Sequence, residues 1–428
     1  MSALAKHLFY QGYSVCGSDL YRSTQTEDLS KIGVEVFIGE DGCREALLRA
    51  ELVVYTDAIP KESVELCVAI ARNKKVLSRA EFLEMICKDF SKVVSVAGSH
   101  GKTTCTSMCA HVLKGVNAPF TAHIGGMDKT LGNYFSCGNE IFLTEACEYK
   151  KNLLKVPSNV AILLNIDKDH MECYKDEQDL LETFRDYCKG AEAAFVCVDD
   201  PKCASLGNFS TFGIENPLAD YRAVKLCANA EKYSFIVEEY GKTLCQVRLN
   251  AIGRCNVYNA LAAFAGMRSL GFDEKEIAKG LEGFQSVRRR FEKVGAYRGA
   301  SFICDYAHHP SEIASTVKTA KGICRGRLYV VFQPHTYSRT KLLMRDFVRT
   351  LREIENLVVY KTFPAREQFD EEGSARRLSQ NVGSCLYAES VYVLKTWLKT
   401  TVREKDIVLF LGAGDIYFAA QYLLNELK

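Results

Sequence analysis

Val93-Val94-Ser95-Val96-Ala97-Gly98-Ser99-His100-Gly101-Lys102-Thr103-Thr104 is the stretch that decides the fold. A hydrophobic strand runs into a loop with two glycines, and a helix opens near Thr103. Glycine lets backbone N–H groups turn toward a polyphosphate, and a helix N-terminus adds the positive end of its dipole. Lys102 can neutralise β- and γ-phosphate charge, and the Thr103 hydroxyl can ligate Mg²⁺. The spacing is G-x-x-G-K-T-T, shorter than G-x-x-x-x-G-K-[ST], because Val96 stands where the longer form has its first glycine. Strand, loop, lysine, hydroxyl and helix in that order select a phosphate-binding βα unit over an ordinary turn.

Outward from this loop, strand and helix signals alternate. β-branched runs fall at Val34–Ile38, Leu52–Tyr55, Ile141–Leu143 and Val160–Leu164, and Tyr13–Asp19 reads as a buried strand ending in an acidic loop. Helical patterns lie between several of them, which argues for parallel sheets with crossover helices. Between residues 207 and 250 the texture changes. There Tyr221–Leu226, Tyr233–Val237 and Thr243–Leu249 follow one another like a small antiparallel insert. Helical periodicity returns at Val257–Leu270 and Glu274–Leu281, and strands recur at Phe302–Asp305, Leu328–Phe332, Asn356–Tyr360 and Ile407–Leu411. Boundaries near residues 88 and 286 divide the chain into three α/β domains, 1–88, 89–286 and 287–428. The chain opens on an amphipathic helix, Met1–Phe9. A helix feeding such a strand ordinarily has another strand before it, so an upstream strand is expected.

Composition narrows the class. Over 428 residues, 47% are apolar and 25% charged, which excludes a disordered or membrane-embedded chain. With 55 basic against 53 acidic residues, no global field steers the protein to nucleic acid or anionic lipid. No apolar run is long enough to cross a membrane, and the N-terminus lacks a secretory pattern. The 18 cysteines form no C-x-x-C pair and sit mostly in apolar runs, as reduced thiols of a cytoplasmic protein do. Of eight histidines, His7, His111 and His123 lie outside the polar motifs, and the other five lie within them.

Those motifs cluster at strand ends, the edge where ligands collect in open α/β sheets. Thr144-Glu145-Ala146-Cys147-Glu148-Tyr149 follows one strand and Asn165-Ile166-Asp167-Lys168-Asp169-His170 another. Their oxygen donors, with an imidazole added, suit Mg²⁺ and suggest two cations bridging nucleotide and reacting group. In the last domain, Asp305-Tyr306-Ala307-His308-His309-Pro310 and Gln333-Pro334-His335-Thr336-Tyr337-Ser338-Arg339 end consecutive strands. A catalytic site and a zinc site of His308, His309 and His335 are both open at this point. Gly412-Ala413-Gly414-Asp415 adds a short glycine turn.

Taken in order, these motifs, with Arg289-Arg290-Phe291-Glu292, resemble the Mur ligase family over nearly the whole chain. The likeness is to the member that joins L-alanine to the carboxylate of UDP-N-acetylmuramate with ATP and Mg²⁺, the first amino-acid addition to the peptidoglycan precursor. The resemblance implies a Rossmann-like N-terminal domain for the UDP sugar, a central P-loop ATPase-like domain and a Rossmann-like C-terminal domain. It implies that Gly98, Ser99, His100, Gly101, Lys102, Thr103 and Thr104 hold the ATP phosphates, and that Thr103, Glu148 and His170 bind Mg²⁺. Asn256 and Asn259 would contact adenine, although Cys255 stands where the family usually has His. Arg290 and Asp305 would help hold the nucleotide. Tyr306, His308, His335 and Arg339 would lie near the amino acid and the activated carboxylate, Lys102 acting with them in catalysis. Ser18, Asp19, Thr56 and Ala58 would lie near the UDP sugar. The family also opens with a strand and a G-x-G-G-x-G-type loop, which would precede Ser2 here. The expected protein is a cytoplasmic monomer or homodimer that binds small molecules. A muropeptide-recycling ligase, a non-catalytic ATP-binding relative and a folate or poly-amino-acid ligase are the alternatives.

Overall fold

A computed structural model of the chain describes residues 1–39, 43–228 and 232–427. They pack as two compact units: Met1–Cys227, Ser234–Asn250 and Asn256–Gln285 make the first, and the second is built chiefly from Ser286 onward.

The first unit is organised by a ten-stranded sheet. Its middle strand, Lys92–Ala97, pairs in parallel with Ile141–Glu145 on one side and Val160–Leu163 on the other. Five of that strand's six residues are buried, so it is mostly apolar on both faces instead of alternating, Ser95 being its one buried polar residue. The phosphate loop therefore leaves from the centre of the sheet, flanked by both acidic motifs. The helix after it, Lys102–Gly115, is buried along almost its whole length, from Thr103 to Leu113. A helix enclosed on all sides has no use for a polar face, which accounts for its Thr, Ser, Cys and Ala content. One core beside the sheet joins Leu4, Phe82 and Ile86 from the N-terminal segments to Phe142, Leu163 and Phe184. The helix Arg79–Cys87 in that segment starts on a reciprocal cap between Ser78 and Glu81.

One expectation needs correction. Tyr13–Asp19 is not a buried strand: only Cys16–Asp19 is extended, and three of its four residues are exposed. It pairs with Glu35–Ile38 alone among the described residues, and Gly17, Ser18 and Asp19 have little apolar surface to bury. The three strands expected as a small insert are present in succession, Tyr221–Ala228, Tyr233–Glu239 and Lys242–Leu249, at the edge of the central sheet. The first of them continues it in parallel through Phe212 and Tyr221.

The second unit holds a six-stranded sheet ordered Glu292–Tyr297, Ala300–Asp305, Ile407–Leu411, Leu328–Phe332, Leu357–Tyr360, Leu386–Ala388. The first pair is antiparallel and the rest are parallel. Separate apolar cores cover its two faces, one around Phe302 and Phe410, the other around Phe332 and Phe347. The loops after Asp305, Phe332 and Leu411 thus emerge side by side at one edge.

The helix Glu274–Glu282 lies on the buried phosphate-loop helix through Gly280. A Cβ there would sit 2.5 Å from the Val112 Cα and 3.2 Å from the His111 carbonyl oxygen, both main chain. Gly280→Ala is expected to destabilise the fold by about 1–3 kcal/mol. Gly322→Ala, whose Cβ meets nothing within 4 Å, is expected to be neutral or slightly stabilising. Thermal midpoints compare the two; equal midpoints would remove the close helix contact.

Candidate active site

The loop between strand and helix is shaped by its glycines. Gly98 and Gly101 adopt φ of 134° and 88°. A Cβ on Gly98 would lie 3.1 Å from the Asn165 carbonyl oxygen, and one on Gly101 would lie 2.6 Å from Asn259 Oδ1. The neighbouring strand end pins the loop in that shape. Asn165 Oδ1 accepts from the His100 amide at 2.8 Å, while its Nδ2 donates to the His100 carbonyl at 3.0 Å. The Asp167 amide donates to Ser99 Oγ at 2.8 Å, and His100 Nε2 lies 3.2 Å from Asp167 Oδ2.

Lys102 folds back over this loop. Its Nζ donates to the carbonyls of Gly98 and Ser99 and to both carboxylate oxygens of Glu148, at 3.0 and 2.9 Å. Burial by itself would lower the ammonium's pKa, but Glu148 outweighs it and the pKa is raised. Glu148 is itself 2% exposed, and its carbonyl accepts from the Tyr174 hydroxyl. The Cys147 thiol beside it is pushed up to about 11 by burial and by Glu148, so it stays protonated and is no nucleophile.

Glu148, Asp169 and His170 form one cluster, with a ligand atom of each within 4.8 Å of the others. Two carboxylates and an imidazole at strand ends suit a hard divalent cation, so these residues fit Mg²⁺. His170 adopts φ 56°, and its ring meets Tyr149 edge-on with centroids 5.2 Å apart. Thr103 and Thr104 are buried at the start of the helix. Asn259 is buried against the loop and donates to Asn256 Oδ1 at 3.3 Å. Farther toward the N-terminus, Ser18 Oγ donates to Glu65 Oε2 at 2.5 Å, and Asp19 Oδ1 accepts from the Tyr21 amide at 3.3 Å. Thr56 Oγ1 accepts from the Ala58 amide at 3.4 Å.

In the second unit the expected residues form a chain of contacts. The Arg290 guanidinium lies 4.8 Å from the Tyr306 ring centroid, and Tyr306 and His308 rings are 5.3 Å apart. His308 and His335 are 5.9 Å apart, and Arg339 Nη1 reaches His335 Nδ1 at 3.4 Å. Asp305 accepts from the amides of Phe291 and Ala307, at 2.7 and 2.8 Å. Burial raises its pKa against the opposing pull of Arg290. His308, His309 and His335 do not converge as a metal-binding triplet among the described residues. His309 instead starts the helix Pro310–Ile323, with its ring on Ser311 Oγ at 2.8 Å.

Comparison with known proteins gives the family. Models of the Mur ligase family catalytic domain, the Mur ligase middle domain and the Mur ligase glutamate ligase domain match residues 1–91, 96–267 and 289–414. The chain belongs to the Mur ligase family. It is 35% identical to a UDP-N-acetylmuramate–L-alanine ligase of Caldicellulosiruptor saccharolyticus, over all of this chain and 96% of that protein. The crystal structure of a UDP-N-acetylmuramate–alanine ligase from Thermotoga maritima superposes with a TM-score of 0.86 at 27% identity, covering 100% of this chain and 96% of that one. A murein peptide ligase of Psychrobacter arcticus shares the fold, with a TM-score of 0.75 at 20% identity and the same coverage of 100% and 96%.

Within each unit, several residues that the sequence reading quoted in motifs but gave no individual role hold the candidate positions in shape. Asp169 joins the cation cluster; the alternation Asp167-Lys168-Asp169-His170 at a strand end was its signal. Arg289 donates to the carbonyls of Gly412 and Gly414, at 3.0 and 2.7 Å, and so ties the glycine turn to the strand before it. Gln333 is fully buried, donating to Asp415 Oδ1 at 2.6 Å and accepting from the Ile416 amide at 3.0 Å.

His335 carries a pH consequence. Burial first, then His308 and Arg339, lower its pKa from 6.5 to about 4, so the ring is neutral at pH 7. Between those two values the unfolded chain binds the proton that the folded chain refuses. This part of the stability is therefore present above pH 6.5 and lost as the pH falls toward 4. Relative to the native chain, His335→Gln is expected to retain about 3 kcal/mol more of its neutral-pH stability at pH 4. Denaturant unfolding at pH 7 and pH 4 measures it; parallel losses in both proteins would contradict the shift.

Proposed function

We propose that the protein joins L-alanine to the carboxylate of UDP-N-acetylmuramate at the expense of ATP, in the cytoplasm, as a step of peptidoglycan precursor synthesis. Lys102, 16% exposed at the phosphate loop and paired with the buried Glu148, is the observation that carries the ligase chemistry. The choice of alanine rests on the full-length similarity to curated UDP-N-acetylmuramate–L-alanine ligases.

A carboxylate does not accept an amine, because oxide is a poor leaving group. In the proposed reaction a carboxylate oxygen attacks the γ-phosphorus, the bond to the bridging oxygen breaks, and ADP leaves. The acyl phosphate that forms has phosphate as its leaving group. The alanine amine, once it has given up its ammonium proton, attacks the carbonyl carbon. The tetrahedral oxyanion then collapses, the C–O bond to phosphate breaks, and an amide remains.

Backbone amides from Gly98 to Thr104 would cradle the phosphates, with Lys102 offsetting the charge that moves onto the bridging oxygen. Thr103 would help hold one Mg²⁺, and Glu148 and His170, with Asp169, the other; the cations supply neutralisation of the polyphosphate. Asn256 and Asn259 are assigned to adenine, and Arg290 and Asp305 to the nucleotide. Ser18, Asp19, Thr56 and Ala58 are assigned to the UDP sugar. Tyr306 and Arg339 would hold the activated carboxylate. His335 and His308, whose rings lie 5.9 Å apart, are the two candidates to orient the incoming ammonium or to take its proton.

The native chain is expected to place radiolabelled alanine in a UDP-sugar product while releasing ADP in equal amount. Lys102→Ala should lower that turnover by about a thousandfold or more while keeping a native circular dichroism spectrum. Most of the turnover surviving in that variant would sink the phosphate-loop assignment. Incorporation of a tripeptide in place of alanine would move the protein to the recycling branch.

A further inference from the structure

Two and three residues beyond Glu148, Lys150 and Lys151 occupy left-handed backbone, at φ 52°, ψ 29° and φ 57°, ψ 25°. A side chain there crowds the following carbonyl, so two such residues in succession persist only when their surroundings hold them. Each lysine has a carboxylate. Lys150 Nζ donates to Asp57 Oδ1 at 2.8 Å, and Lys151 Nζ to Asp179 Oδ1 at 2.5 Å. The other oxygen of Asp57 accepts from Asn152 Nδ2 at 3.1 Å, so one carboxylate grips the bend on both flanks. The Lys151 ammonium also lies 5.7 Å from the Tyr174 ring centroid, and the Tyr174 hydroxyl donates to the Glu148 carbonyl.

An exposed ion pair contributes little by itself. Here the Asp57 side chain is 19% exposed and both of its oxygens are engaged, which makes it a fixed anchor for a strained turn. Asp57 follows the strand Leu52–Tyr55 and stands between Thr56 and Ala58. It thus links the segment assigned to the sugar nucleotide with the segment that presents Glu148.

We infer that Asp57 is a positioning residue that clamps the left-handed Lys150 turn and thereby sets Glu148 for the cation beside the phosphate loop. The inference rests on the proposed roles of Glu148 and of the Thr56–Ala58 turn. Sugar-nucleotide contact at Thr56 or Ala58 would then be felt at the cation site through Asp57.

The test is a titration of the full-length protein with Mn²⁺ in the presence of ADP, followed by electron paramagnetic resonance. Asp57→Ala should weaken Mn²⁺ binding about fivefold, the factor for releasing one left-handed residue. Lys150→Ala, which keeps the backbone penalty without the ion pair, should weaken it similarly. Lys150→Gly adopts left-handed backbone freely and should stay within about twofold of the native chain. Equal affinities for the alanine and glycine variants would overturn the clamp. So would an Asp57→Ala protein that loses UDP-N-acetylmuramate binding but keeps native Mn²⁺ affinity, since Asp57 would then be only a sugar contact. If Asp57→Ala fails to fold, the Lys150 pair still decides. A native chain that binds Mn²⁺ but ligates no alanine would instead refute the proposed function, and one that binds no Mn²⁺ would refute both.

Discussion

The buried pairing of Lys102 with Glu148 is the constraint around which the first unit is arranged. A lysine ammonium can leave water only if its charge and its three donors are met, and removing one partner of such a pair costs about 3–5 kcal/mol. Glu148 supplies the charge, and the carbonyls of Gly98 and Ser99 accept the remaining donors. Those carbonyls point inward only because Gly98 and Gly101 take backbone angles closed to other residues. Glu148 reaches Lys102 only because the segment after it turns sharply, through Tyr149 and the two left-handed lysines. The glycines, the strained turn and the Tyr174 hydrogen bond thus serve one electrostatic requirement.

The second unit meets a similar requirement with different parts. Its polar residues also sit past the ends of parallel strands, where no neighbouring strand satisfies the backbone. Arg289 ties the Gly412 and Gly414 carbonyls down, and Gln333 locks Asp415 and the start of the helix Ile416–Leu427. With those loops fixed, Tyr306, His308 and His335 lie in edge contact, and burial holds His335 neutral.

Much of this was legible in the sequence because it follows local rules. Lys92–Ala97 is apolar apart from Lys92 and Ser95, and the loop after it carries glycine and lysine at fixed offsets, so strand, loop and helix were readable. The strands Phe302–Asp305, Leu328–Phe332 and Ile407–Leu411 were readable for the same reason. Other elements hide where the local signal is mixed. Phe120–Asp128 carries two consecutive glycines that break a strand pattern, and Gly125 is there because a Cβ would lie 2.5 Å from Glu145 Oε1. Cys16–Asp19 shows the reverse error: the run into it looked apolar, but the strand has too little surface to bury. The contacts that hold the site in shape, such as Asn165 on His100, Gln333 on Asp415 and Asp57 on Lys150, join residues 65, 82 and 93 positions apart. No periodicity encodes a pairing at that separation.

The pairing also bounds how the site can be filled. Under the proposed roles, neither charge can be left alone in the interior, so a phosphate would take Lys102 only as something positive takes Glu148. A polyphosphate without a cation would strand the carboxylate beside new negative charge, and a cation without a polyphosphate would strand the ammonium beside new positive charge. Arriving together, the two exchange one ion pair for two and leave no buried charge unmatched. His170 and Asp169 stand where the cation end of that exchange would fall, within 4.8 Å of Glu148, while the helix N-terminus faces the phosphate end. Under the proposed roles of Lys102 and Glu148, the resting ion pair would stand in for the metal–nucleotide complex, and the bare nucleotide would be the poorer ligand on electrostatic grounds alone.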